Sequence, residues 1–264
     1  MEIIGYVWAS LIGVLMGLLG GGGSVLTIPV FVYLFGLSEG YAAAYSLFVI
    51  GSTSTVGAIN NVIKNNVDFY CALLVGIPSI SSVFLTTRFL VPNIPSEIFS
   101  VNNFTLIRSK AMMIIFSLLL IVAAILILKK NSESLKQITP KKASKSFLMF
   151  LGMSIGLLAG LVGVGGGFLI VPILVLVANI PMKKAVGTTL LIIALNSALG
   201  FIGHLFNKTI DWAFLLPFSL VSILGIIVGM YLSRFVSGAK LKKGFAYFLL
   251  VMVVYVMYAE FFNS

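Results

Sequence analysis

The sequence predicts an all-α polytopic membrane protein of two inverted repeats, each a glycine-broken pair of short helices plus three spanning helices. Three observations carry this. Hydrophobic residues make up 60% of the 264 and charged residues 9%, where a soluble domain carries about 25% charge. Apolar runs follow one another with no polar stretch long enough for a separate soluble domain. One glycine motif is written twice, 143 residues apart.

Taken in order, the apolar runs fall at 3–19, 24–37, 41–62, 69–91, 108–128, 146–162, 168–180, 185–206, 212–233 and 244–262. Gly20, Gly21, Gly22 and Gly23 separate the first two, and the stretch 163–167 separates the sixth from the seventh. A glycine costs roughly 1 kcal/mol relative to alanine inside a helix, so both runs break one. They also let other backbone approach closely. At 1.5 Å per residue, 3–19 reaches roughly 25 Å and 168–180 roughly 20 Å, short of a hydrocarbon core of about 30 Å. Each pair reads as a V-shaped hairpin or as two short tilted spans. The other six runs are each long enough to cross. Asp68 and Asp211 precede Phe69 and Trp212 and are placed as N-caps. The stretch 129–147 holds six lysines, one glutamate and Pro140. It is the linker between a first membrane repeat, 1–128, and a second, 148–264.

Shifted by 143 residues, the halves match without a gap from Gly13 to Asp68. Gly20 falls on Gly163, Gly22 on Gly165, Gly23 on Gly166, Pro29 on Pro172, Ser54 on Ser197, Gly57 on Gly200 and Asp68 on Asp211. The loop 92–107 has no counterpart after Arg234. Charge placement orients the halves. If each short pair is a hairpin or two crossings, each half crosses an odd number of times and the halves are inverted. Lys64, the six linker lysines, Lys183, Lys184, Arg234, Lys240, Lys242 and Lys243 then share one side, thirteen of the seventeen basic residues. Arg88, Arg108, Lys110 and Lys208 lie on the other. One crossing per pair would split them eight against nine. The positive-inside rule selects the first arrangement. It puts the linker in the cytoplasm and both termini outside, in a plasma (inner) membrane.

The net charge of +10 thus sets orientation and does not imply nucleic-acid binding. The single cysteine, Cys71, allows no intrachain disulfide and implies no cysteine metal site. Glu2 and the lack of a basic leading segment argue against a cleaved signal peptide.

A helix restarting near Ser24, and another near Phe168, would present free N–H groups and a positive dipole end. Such an end holds an anion without a charged side chain. The candidates are Gly20, Gly21, Gly22, Gly23 and Ser24 in the first half, and Gly163, Gly165, Gly166 and Gly167 in the second. Ser46, Thr53 and Asn60, spaced by seven, share one helix face; the shift gives Thr189, Asn196 and Gly203. Ser46, Thr53, Thr189 and Asn196 are the candidate substrate-lining side chains. Small and polar residues also mediate helix packing in membranes, and both readings stay open for the glycine runs and for the stripes.

His204, the sole histidine, is a candidate proton relay or an interfacial residue at a helix end. With Ser24 it makes no hydrolase pattern, since Ser24 is followed by Val25 and Leu26 and its repeat counterpart is Gly167. No lysine follows Gly23 as in a phosphate-cradling loop, and no His-Glu-x-x-His motif occurs. The chain is expected to be no enzyme and to use no metal or cofactor. Its expected partners are a small anion and the bilayer.

Two glycine-rich turns, each followed by Pro29 or Pro172, then Ala-x-x-x-Ser at 42–46 or Ala-x-x-Thr-Thr at 185–189, resemble the TauE/SafE sulfite-exporter family. The stretch Ser233-Arg234-Phe235-Val236-Ser237-Gly238 fits that family's second half. The resemblance covers nearly the whole chain. It implies a permease with duplicated halves, moving sulfite, sulfonates or other organosulfur anions. An accessory membrane protein without substrate and a passive anion channel are the alternatives.

Overall fold

The computed structural model describes residues 2–90, 93, 97–101, 104–129, 144–162, 166–205 and 210–262. Helix α1, Glu2–Leu19, leads into a 3-10 stretch, Gly20–Leu26, then the short α2, Thr27–Pro29, and a π-turn, Val30–Leu34. Helices α3, Glu39–Ile63, and α4, Phe69–Leu85, follow; α4 ends in a π-turn, Thr86–Leu90. A small antiparallel hairpin, β1 Glu97–Val101 and β2 Phe104–Ile107, precedes α5, Arg108–Lys129. The second half holds α6, Lys145–Val162, α7, Gly167–Leu176, α8, Met182–Leu205, α9, Trp212–Leu232, and α10, Gly238–Phe262.

Among the described residues, six stretches are long and apolar enough to cross a membrane: 4–34 and the helices α3, α4, α8, α9 and α10. Large apolar side chains stay exposed on their outer faces, including Leu220 and Leu224 on α9 and Val251 and Val254 on α10. That is a surface for lipid. The protein is a polytopic α-helical membrane protein, with the β1–β2 hairpin inside the loop that lacks a repeat counterpart. Two helices start earlier than their apolar runs. Lys183 and Lys184 lie in the first turn of α8, and Lys240, Lys242 and Lys243 near the start of α10. Lys183, Lys240 and Lys243 are exposed, as long lysine stems run along a helix while the ammonium reaches for the interface; Lys242 is buried. Most of the linker, 130–143, lies outside the described residues.

Both glycine runs reverse the chain. Gly20 has φ +72° and Gly166 φ +71°, a left-handed conformation that glycine adopts without a steric penalty. A Cβ on Gly23 would fall 2.6 Å from Ile12 O and Met16 N, whereas residues 12 and 23 of one straight helix lie roughly 16 Å apart. Gly166 sits in the same way against Ile155 and Ala159, the counterparts of Ile12 and Met16. The stretch 4–34 is therefore a hairpin. Its returning arm, 27–34, and α7 are each roughly 12–15 Å long, about half a bilayer core. Phe31 and Phe35 fasten the first arm to α9, with ring centroids 5.0 Å (Phe31–Phe218) and 4.9 Å (Phe35–Phe214) apart.

The halves interleave, and the packing is unchanged when they are exchanged. Helix α1 packs on α9 as α6 packs on α4, while α3 meets its own counterpart α8 and α5 meets α10. Glycines permit the close crossings. A Cβ on Gly13 would strike the Ser222 carbonyl oxygen, and one on Gly156 would strike that of Ser79; both residues of one pair are 143 positions from those of the other. Helices α3 and α8 run antiparallel, since Gly187 faces Asn61, Gly57 faces Leu190, Gly51 faces Ser197 and Gly200 faces Leu47.

The two aspartates cap their helices. Asp68 Oδ1 accepts from Cys71 N at 3.0 Å, and Asp211 Oδ1 from Ala213 N and Phe214 N at 3.1 and 3.2 Å. Their own amides donate to the opposite half, Asp68 N to Thr188 Oγ1 and Asp211 N to Tyr45 OH, both at 2.9 Å. Thr188 and Tyr45 are again counterparts. Asp68→Ala and Asp211→Ala are each expected to lower stability by about 1 kcal/mol, read as a fall in the Tm of the purified protein. An unchanged Tm would show that the caps contribute nothing.

Candidate functional site

The two glycine turns meet at the centre of the molecule. A Cβ on Gly21 would overlap the Gly167 backbone, and one on Gly167 would lie 2.9 Å from Gly21 Cα. The Cβ direction of Gly20 points at Val186 on α8, 3.1 Å away, and that of Gly22 at the Phe245 ring on α10, 2.8 Å away. Protein atoms take the Cβ side of Gly20, Gly21, Gly22, Gly23, Gly166 and Gly167. Gly163 and Gly165 lie outside the described residues. The first helix restarts at Thr27 and not near Ser24, because 3-10 pairing carries the chain through Gly20–Leu26. The hydroxyl of Ser24 turns inward and donates to Gly21 O. Thr27 Oγ1 donates to Ser24 O at 2.6 Å and pairs with Ser46 Oγ at 2.8 Å. Ser24 and Ser46 thereby tie the first turn to α3.

The rest of the stripe is different. Thr53 and Thr189 are fully buried, and neither hydroxyl has a hydrogen-bond partner. Asn196, 1% exposed, donates from Nδ2 to Ser79 Oγ at 3.0 Å, and its Oδ1 has no partner. Ser54, Ser197 and Ser222 are likewise buried and unpartnered. These groups fall on matched positions: Thr53 with Asn196, Ser54 with Ser197, Ser79 with Ser222. They sit on helices that pack on one another, α3 on α8 and α9, α4 on α8. Thr189 is orphaned for a simple reason. Its counterpart Ser46 bonds Thr27, but the position matching Thr27 is Ile170, which has no hydroxyl. Each buried group left unsatisfied costs about 1–3 kcal/mol, and such a group in a native structure calls for an explanation. Hydroxyl hydrogens rotate to suit a partner, so the Thr53, Thr189, Ser54, Ser197 and Ser222 hydroxyls are able to donate to an anion brought among them, whereas the free atom of Asn196 is an acceptor.

The family described as Sulfite exporter TauE/SafE matches residues 6–256. The chain belongs to the TauE/SafE family. Curated relatives agree along most of its length. A probable membrane transporter protein of Xylella fastidiosa (strain 9a5c) is 24% identical over 94% of this chain and 92% of its own. One from Methanocaldococcus jannaschii is 27% identical over 78% and 72% of the two chains, and one from Bacillus subtilis (strain 168) 26% identical over 88% and 91%. No solved structure matches. This TauE/SafE protein is a membrane transporter and not an enzyme.

Within the TauE/SafE fold, His204 is half-buried in the last turn of α8, roughly 12 Å along the axis from Asn196. Sequence reasoning missed Thr27, Ser79 and Ser222 and did not use Ser54 and Ser197 as site residues. The signal for the last pair was their identity under the repeat shift.

Proposed function

We propose that this TauE/SafE transporter moves a small sulfur oxyanion, sulfite, a sulfonate or another organosulfur anion, by alternating access of two inverted repeats. The observation that carries the reading is the set of fully buried, unpartnered polar groups at matched positions of α3 and α8. Polar groups inside a membrane protein mark substrate paths, and inverted repeats tend to hold the substrate at their interface near the midplane. Thr53, Thr189 and Asn196 are the lining side chains in this reading, with Ser54 and Ser197 beside them. Ser24 and Ser46 hold the first turn, and the glycines let the two turns touch. The antiparallel course of α3 and α8 supports inversion. The basic residues support a plasma-membrane location with the linker 129–147 cytoplasmic and both termini outside.

The test is thermal stability of the detergent-purified protein against sulfite, taurine, sulfoacetate, sulfate, a carboxylate and chloride. A ligand bound by the folded state alone stabilises by about 2.7 kcal/mol at 100 times its Kd. A sulfur anion is expected to raise the Tm by roughly 5 °C or more, while chloride and the carboxylate leave it unchanged. No rise with any sulfur anion would contradict the proposal.

A further inference from the structure

Away from the buried hydroxyls, a cavity of about 170 Å³ lies where the end of α3, the start of α8 and the residues after α9 converge. Lys64, Lys183 and Arg234 line it together with Asn60 and Asn61, and Gly17, one turn before the first glycine run, forms part of its wall. None of its lining residues is acidic. A single water needs about 15 Å³ of such space, so the cavity has room for an oxyanion with part of its hydration.

Read as loop charges, these three cations only orient the chain. In the fold they share one cavity. Their presence is also one-sided, because the sequence counterparts of Lys64, Lys183 and Arg234 are Asn207, Gly40 and Val91, all uncharged. The repeat thus does not explain the charges, whereas it does explain the caps, the crossings and the hydroxyl stripe.

We propose that this cavity is an oxyanion-capture site on the lysine-rich side, holding a sulfite, sulfonate or phosphate group between Lys64, Lys183 and Arg234. As a stage on the transport path it rests on the reading above that the cargo is a sulfur oxyanion; as a binding site it does not. Partial burial, and then the neighbouring Arg234 charge, lower the Lys64 ammonium below its ordinary pKa. Like charges held together without a counter-charge gain from an anion placed between them. Arginine adds a planar fork suited to two oxygens of one sulfur or phosphorus centre. A lipid headgroup phosphate offers the same chemistry as a free anion.

The experiment is calorimetric titration of sulfite at low ionic strength, where surface charge is least screened. The protein carries Thr53→Val and Asn196→Leu, which remove two of the three central lining side chains, and sits in phosphatidylcholine nanodiscs. Adding Lys64→Gln and Arg234→Gln is expected to weaken binding at least about 100-fold, since two charge-assisted contacts are lost. Adding Lys64→Arg alone is expected to keep affinity within about threefold, which separates lost charge from misfolding. Repeating the titration in phosphatidylglycerol nanodiscs identifies the occupant. Sulfite binding weakened there more than in the glutamine variant in the same lipid, which shares the repulsion of the anionic surface, assigns the site to a headgroup phosphate, and no such excess assigns it to the free anion. Either upholds the site. Absence of sulfite binding in both lipids, or equal binding with and without the two glutamine substitutions, overturns it. Sulfite flux that survives Thr53→Val and Asn196→Leu would instead count against the central site and leave this one standing.

Discussion

Thr53→Val and Asn196→Leu are each expected to reduce sulfite flux at least about 100-fold while leaving the folded protein as stable as before, or more so for Thr53→Val. The two halves of this result have one cause. Thr53 is fully buried and its hydroxyl has no partner, so valine, nearly the same shape, removes an unsatisfied group that costs about 1–3 kcal/mol. If the hydroxyl exists to meet cargo, flux falls as stability rises. Asn196→Leu removes the orphan Oδ1 but also frees Ser79 Oγ, so its two stability effects offset each other. Flux into proteoliposomes and Tm in detergent, measured on the same preparations, check the pair. Helix packing alone predicts unchanged flux with a raised Tm for Thr53→Val.

The second large effect is a contrast between neighbours. Gly21→Ala is expected to destabilise the protein by about 3 kcal/mol or more, and Gly22→Ala by less, about 1–2 kcal/mol. A methyl on Gly21 meets the Gly167 backbone, which is locked into the second turn and has nowhere to go. A methyl on Gly22 meets the edge of the Phe245 ring at 2.8 Å, and that buried side chain gives by a few tenths of an ångström at some cost in packing, where backbone cannot. Thermal unfolding of the two variants decides. Equal losses would mean that the turns are not in backbone contact.

Much of the fold was legible because membrane helices announce themselves by length and apolarity, and because the duplication exposes constraint. Glycine density marked both reversals, and Asp68 and Asp211 marked two helix starts. The partners of each helix were not legible. Periodicity says which face of α1 is buried, but not that it is buried against α9 of the other half. The site was half legible for a related reason. Ser46 and Thr53 stand on one face of α3, yet Ser46 is taken up by Thr27, 19 positions away, and only the folded turn brings that hydroxyl across. Lys64, Lys183 and Arg234 come from the end of α3, the first turn of α8 and the residues after α9, so their convergence depends wholly on the interleaving of the halves.

The most direct measurement of the central claim is counterflow of labelled sulfite in proteoliposomes of the purified protein. Vesicles preloaded with unlabelled sulfite are predicted to accumulate the label transiently and faster than empty ones, with saturable dependence on external sulfite, as alternating access through one site requires. Uptake that neither saturates nor responds to the preload, or that matches protein-free vesicles, would contradict it.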